Sequence, residues 1–139
     1  AGCQACERCW KKDGLPCVQQ DDMQKLYPKL NVADMIVFAA PIYYFGFPAQ
    51  LKAVIDRFYP LCHGDDKRRA FADKESALIL CGASEEEDDF EPAVANYEVM
   101  ADYLGWEDRG ILVASGLGDI GDAAKSEWLE AARDLAMDL

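Results

Sequence analysis

The sequence predicts an α/β domain, a doubly wound parallel sheet with helices packed on it, and three observations carry that prediction. After Asp21, short apolar runs alternate with amphipathic segments along the rest of the 139 residues, as when strands are joined by crossover helices. The three apolar runs show no polar alternation, which implies a sheet covered on both sides. No repeat, low-complexity tract or linker interrupts them, so residues 1–139 read as one domain with a Cys-rich segment at 1–20.

In chain order, Asp21-Asp22-Met23-Gln24 resembles a capping box for a first helix, and Pro28 costs that helix a hydrogen bond and is expected to kink or shorten it. Met35 to Ala40 is the first strand, ending at Pro41. Leu51, Val54, Ile55 and Phe58 form a helical stripe, with Pro48 in the first turn and Pro60 as the stop. Ala77 to Cys81 is the second strand, ending at Gly82. Pro92 opens a helix striped by Val94, Tyr97, Ala101 and Leu104 and closed by Gly105. Ile111 to Ala114 is the third strand, ending near Gly116, and a last helix from about Asp122 carries Trp128, Ala132, Leu135 and Leu139 on one face.

Charge narrows the function classes. A net charge of −12 argues against a nucleic-acid or anionic-membrane partner, since both require clustered Lys and Arg, and the Lys67-Arg68-Arg69 run is too short to supply them. With no apolar stretch near the ~20 residues of a membrane span and no leader-like start, a cytoplasmic protein is expected. The chain opens on Ala1 and reaches Cys3 at once, as a piece of a longer protein would.

Four of six cysteines fall within the first 17 residues, as Cys3-x2-Cys6-x2-Cys9-x7-Cys17, which favours a reduced compartment and a metal, cluster or redox role over a disulfide framework. Four thiolates at this spacing suit a [4Fe-4S] cluster, although Pro16 precedes Cys17 where ferredoxins place Pro after the fourth Cys. Zinc prefers two separated pairs, and four reduced thiols in a folded loop is the third reading. Cys62 and Cys81 read as small buried hydrophobes. His63 fits no catalytic arrangement. Glu85-Glu86-Glu87-Asp88-Asp89 reads as a solvated start to the Pro92 helix, with an acidic rim that disfavours anionic electron donors as the alternative.

Ligand sites in open α/β sheets lie at the carboxyl ends of the strands. The first such end, Pro41-Ile42-Tyr43-Tyr44-Phe45-Gly46-Phe47-Pro48, holds four aromatics between two prolines, with Gly46 expected to permit a close approach. Flat side chains at the rim suit a flat aromatic ligand such as a flavin; packing over the sheet is the plain alternative.

Pro41-Ile42-Tyr43, followed by Ala49-Gln50-Leu51-Lys52-Ala53-Val54-Ile55-Asp56-Arg57, resembles the flavin-contacting loop and following helix of the NAD(P)H-dependent FMN reductase family, whose fold is flavodoxin-like. The cysteine segment with Asp21-Asp22-Met23 resembles that of the family's iron-sulfur flavoprotein branch. The resemblance implies FMN against Pro41, Ile42, Tyr43, Tyr44, Phe45 and Gly46, with Cys81, Gly82, Ala83, Ser84, Ser115 and Gly116 on adjacent walls. It also implies a cluster on Cys3, Cys6, Cys9 and Cys17. The implied reaction passes hydride from NAD(P)H to FMN, then electrons to a quinone, a flavin or a protein acceptor, in a homodimer or higher assembly. A non-enzymatic electron carrier and a cofactor-free interaction domain are the alternatives. The family's initial strand, Ser/Thr/Asn-rich phosphate loop and first helix have no counterpart here, so a truncated sheet of three strands is expected.

Overall fold

The computed structural model describes residues 1–11, 16–62 and 71–139. His63 and Lys67-Arg68-Arg69 lie outside the described residues. Three parallel strands, β1 (Met35–Pro41), β2 (Glu75–Cys81) and β3 (Glu107–Ala114), form one sheet in that order. Among the described residues, four α-helices accompany them: α1 (Met23–Val32), α2 (Ala49–Ile55), α3 (Glu91–Leu104) and α4 (Trp128–Asp138).

The core occupies one face of the sheet. Phe38 of β1 and Leu78 and Leu80 of β2 point into it, beneath Ala93, Tyr97 and Ala101 of α3, all buried. Aromatic rings fill the layer between: Phe58 meets Phe71 edge-on at 5.2 Å and Phe71 meets Trp106 at 5.0 Å. The Trp106 indole N–H donates to the Phe71 carbonyl at 2.6 Å, which satisfies its polar atom inside the apolar layer.

Coverage of both faces holds for the central strand and fails for its neighbour. β2 keeps Ala77, Leu78 and Leu80 fully buried, whereas Val37 on β1 is 44% exposed. Among the described residues β1 pairs with β2 alone, at the edge of the sheet, and its second face carries little cover.

Several boundaries depart from the sequence reading for local reasons. β2 and β3 start earlier, at Glu75 and Glu107, because the parallel ladder is made by backbone groups and tolerates polar side chains at its exposed end. The ladder shifts register between Ser76 and Leu78, opposite Arg109-Gly110. Gly110 has φ +148°, and a Cβ there would lie 2.5 Å from Leu135 Cδ1 of α4, so any other residue strains the backbone and displaces the Leu135 tip. α1 runs through Pro28 to Val32, and Lys74 caps its end by donating to the carbonyls of Asn31 (3.2 Å) and Ala33 (2.6 Å). The expected capping box is absent: Asp21 Oδ1 accepts from the Met23 N–H, and Gln24 turns to the carbonyls of Cys17 and Gln19. Pro48 caps α2, and Pro60 lies within a 3-10 turn, Asp56–Leu61, rather than at a stop. Its missing N–H removes an α-helical bond and the turn tightens. α4 starts at Trp128 after a short turn at Ala123–Lys125. Gly105 closes α3 as expected.

Candidate functional site

The three strand ends open onto loops tied together by backbone hydrogen bonds. The Ile42 N–H donates to the Cys81 carbonyl at 2.9 Å, and the Gly82 N–H donates to the Ala114 carbonyl at 3.2 Å. Leu117 donates back to the Gly82 carbonyl (2.8 Å), and Gly116 to that of Ser84 (2.7 Å). Gly82 is tightly enclosed: a Cβ would stand 3.0 Å from Ile42 Cγ1 and 3.1 Å from Phe90 Cζ. The three predicted walls therefore lie side by side at the carboxyl end of the sheet.

The first wall is a two-residue turn. Tyr43 and Gly46 exchange backbone hydrogen bonds (2.9 and 3.2 Å), leaving Tyr44 and Phe45 at its tip with φ values of 49° and 63°. Such paired positive φ values are normally met with Asn-Gly. Gly46 does not supply the tight conformation assigned to it from sequence; two aromatic residues do, at about 1–3 kcal/mol each. Tyr43, Tyr44 and Phe45 are 60%, 99% and 53% exposed, so the strain is not offset by packing within the chain.

Behind the turn lies an open cleft of about 330 Å³ lined by Ile42, Tyr44, Phe45, Ala83, Ser84 and Asp89. Five of these six were predicted site residues, and Asp89 was not. Ser84 donates to Asp89 Oδ2 at 2.6 Å and accepts from the Glu86 N–H at 3.2 Å, which fixes the acidic turn Glu87–Asp89 beside the cleft. Pro41, Tyr43 and Gly46 frame the turn, Cys81 and Gly82 contribute backbone, and the Ser115 carbonyl accepts from the Trp128 indole N–H (2.9 Å). The lining suits a flat ring. It carries a carboxylate and no Lys or Arg, so it does not suit a phosphate.

The N-terminal segment that carries the cysteines lies against α2 and the turn after it, where Gly2 comes close to Ala53 and Asp56. Cys3 and Cys6 are exposed, while Cys9 and Cys17 are buried. Burial pushes the Cys9 thiol up, and the neighbouring thiols of Cys17, Cys3 and Cys6 add to the rise. Among the described residues, no three His, Cys, Asp or Glu side chains converge closely enough to hold a metal ion as they stand. The donor chemistry, four thiols in a segment with Ala5 and Glu7 at positive φ, fits a four-thiolate group; the convergence does not preexist. Trp10 stacks on Tyr59 at 4.9 Å, and the Gln19 side chain donates to the Gly2 carbonyl, so the segment is anchored at both ends. Cys62 packs against the core and Cys81 ends β2, but both are half-buried rather than buried as read from the sequence.

Sequence reasoning missed the group that holds this segment in place, Asp21, Tyr27 and Arg57. Arg57 is buried, and its guanidinium is bidentate to Asp21. These bonds hold the Asp21 carboxyl below its usual range and raise Arg57 further. Burial pushes Tyr27 up to about 12.

The profile of the family described as NADPH-dependent FMN reductase matches residues 4–89, which spans the cysteine segment from Cys6 on, the aromatic turn and the β2 exit loop. The chain belongs to that family. Its relatives include an iron-sulfur flavoprotein of Methanosarcina thermophila, 42% identical over 60% of this chain and 41% of that protein. One from Archaeoglobus fulgidus is 39% identical over 44% of this chain and 27% of its own length. The chain spans well under two thirds of the length of these relatives. Among solved structures, the Trp repressor binding protein of Bacillus subtilis superimposes with a TM-score of 0.73 over 82% of this chain and 75% of that one, at 24% identity. General stress protein 14 of Treponema denticola, solved in complex with FMN, gives 0.63 over 85% and 71% at 22% identity. Both likenesses are of fold, and they agree with the flavodoxin-like architecture.

Proposed function

We propose that this chain is the flavin-handling and electron-relaying part of an FMN-dependent NAD(P)H oxidoreductase. The carrying observation is the cleft at the strand ends, framed by the strained aromatic turn and three hydrogen-bonded loops on a chain of the FMN reductase family. When bound, FMN supplies hydride acceptance from the nicotinamide and onward electron delivery, and a [4Fe-4S] cluster supplies one-electron steps. The protein's own work is to position. Tyr44 and Phe45 offer ring faces, Ile42 and Ala83 an apolar floor, and Asp89, held by Ser84, one fixed carboxylate at the edge. The phosphate is held by groups other than this lining. Cys3, Cys6, Cys9 and Cys17 would hold the cluster. The acceptor is a quinone, a flavin or a protein carrier, and the thiolate site suits the reducing cytoplasm. Exposed aromatics at the turn suit a homodimer or higher assembly that covers them.

The test is anaerobic purification followed by visible spectrum, flavin, iron and sulfide analysis, and NAD(P)H turnover. Stoichiometric flavin with turnover supports the enzyme, and absence of bound or bindable flavin overturns it. One observation favours the carrier reading: the exposed Glu85, Glu86, Glu87 and Asp88 flank the cleft and would repel a dinucleotide's phosphates. Neutralising Glu85, Glu86 and Glu87 to Gln should change stability by under ~1 kcal/mol. Unchanged donor kinetics identify the run as a solvated helix start, and a lowered KM for NAD(P)H assigns it a role in partner choice.

A further inference from the structure

Five consecutive acids, Glu85 to Asp89, follow Ser84, and the first four are exposed. Asp89 is half-buried and lines the cleft. Its Oδ2 accepts from the Ser84 hydroxyl at 2.6 Å, which turns the side chain inward, and its N–H donates to the Glu86 carbonyl at 3.2 Å. Ser84 is itself held from two sides, since its hydroxyl accepts from the Glu86 N–H (3.2 Å) and its carbonyl from the Gly116 N–H (2.7 Å). The next residue, Phe90, is buried in the core and stands beside Gly82, so the carboxylate rides on a rigid mount. Asp89 Oδ1 has no partner among the described residues. With the Ser84 proton already given to Asp89, this oxygen is the fixed polar atom that the lining side chains offer a ligand, among the apolar and aromatic groups of Ile42, Tyr44, Phe45 and Ala83.

We propose that Asp89 is a specificity-determining residue of the cleft, whose carboxylate accepts a ring N–H from the bound flavin, selects the edge that faces inward, and lowers the ring's reduction potential. The inference rests on the reading above that the cleft takes FMN. An ionised carboxylate accepts hydrogen bonds and donates none. Oxidised isoalloxazine carries a single ring N–H, at N3 between its two carbonyls, so that edge is the one able to satisfy Oδ1. The dimethylbenzene edge has no polar hydrogen and would leave the carboxylate desolvated without a partner, which costs more than the bond itself returns. The N3–H contact is charge-assisted and therefore stronger than a contact between neutral groups. The same charge opposes the electron density that the ring gains on reduction, because hydrogen bonds and charges at the ring nitrogens set a flavin's electronics. A cleft walled by apolar side chains screens that repulsion less than open water does.

The experiment uses the full chain with FMN and 3-methyl-FMN, which differ only in the substituent on N3. Wild type, Asp89→Ala, Asp89→Asn and Glu91→Gln are titrated by flavin fluorescence quenching, and the potential of bound FMN is measured against reference dyes. Wild type should bind 3-methyl-FMN about tenfold more weakly than FMN, and Asp89→Ala should bind the two equally. Each ratio is taken on one protein, so any loss of folded chain in Asp89→Ala cancels. Asp89→Asn keeps an oxygen for the Ser84 proton and removes the charge. It should therefore keep the fold and shift the bound reduced-to-oxidised ratio about tenfold toward reduced, about 30 mV for two electrons. Glu91→Gln removes the same charge from an exposed position two residues on and should match wild type in both measurements. Equal affinity of wild type for the two flavins overturns the proposal while leaving the FMN reading intact. So does an undiminished preference in Asp89→Ala, or a potential that moves no further in Asp89→Asn than in Glu91→Gln. Failure of wild type to bind FMN overturns the reading itself, and the proposal with it.

Discussion

Trp128 donates its indole N–H to the carbonyl of Ser115 at 2.9 Å, so the first residue of α4 is fastened to the third exit loop of the sheet. That one bond couples a peripheral helix to the candidate site. Trp128→Phe keeps most of the apolar surface and leaves the Ser115 carbonyl without this donor. It should cost about 1 kcal/mol of stability. FMN affinity, read by flavin fluorescence quenching, should fall more than a matched loss from Leu135→Val, which also trims α4 but does not touch the loop. Equal effects of the two variants would show that Trp128 acts only through the helix.

The turn at Tyr44 and Phe45 trades stability for exposed aromatic surface. Both residues adopt a backbone that Asn and Gly accept at little cost, and neither ring is buried within the chain. Tyr44→Asn with Phe45→Gly should therefore raise the unfolding free energy by about 1–2 kcal/mol while weakening flavin binding. Denaturant unfolding and a flavin titration read the two effects separately, and a destabilised double variant would contradict the strain argument.

The pH dependence follows from groups whose folded and unfolded pKa values differ. Asp21 is lowered from 3.8, chiefly by the hydrogen bonds from Arg57. Its contribution is fully present above pH 3.8 and is lost as pH falls through the lower folded value. Tyr27 moves the other way, raised from 10.0 to about 12 by burial, so its contribution is complete below pH 10.0 and is lost as pH climbs toward 12. Chemical denaturation across pH should show both flanks. Asp21→Asn should flatten the acid one, and Tyr27→Phe should reduce the alkaline one, where Tyr97, also raised by burial, leaves a remainder.

What the sequence makes visible here is whatever repeats or clusters locally. The apolar interiors of the strands, the α3 stripe and its Gly105 close, the aromatic turn and the cysteine spacing are each contained in a few consecutive residues. The polar starts of β2 and β3 were missed because Glu75 and Glu107 are held by ladder partners distant in sequence. Arg57 and Asp21 are 36 positions apart, and Arg57 and Tyr27 are 30 apart, so no local pattern marks them as partners. Asp89 read as one of an acidic run, and only the hydrogen bond from Ser84 singles it out. The left-handed pair at Tyr44-Phe45 ran against residue preference, which assigned the flexible position to Gly46.

The four N-terminal cysteines differ in burial, and that difference separates a ligand role from a packing role. Cys9 and Cys17 are 7% exposed, whereas Cys3 and Cys6 lie at the surface. In protein stripped of iron, Cys→Ser at 9 or 17 replaces a sulfur by a hydroxyl in an apolar setting and should cost about 1–2 kcal/mol. At 3 or 6 the same change should be nearly neutral, since water solvates the new hydroxyl. In iron-loaded protein the grouping should vanish: each of the four variants should lose iron, because a four-thiolate site left with three ligands becomes labile. Cys62→Ser and Cys81→Ser should keep iron throughout. Single variants assayed for iron and for unfolding, before and after chelation, make the comparison. If iron content instead follows burial, falling at 9 and 17 and holding at 3 and 6, the exposed pair are not ligands, and the segment needs a different donor set.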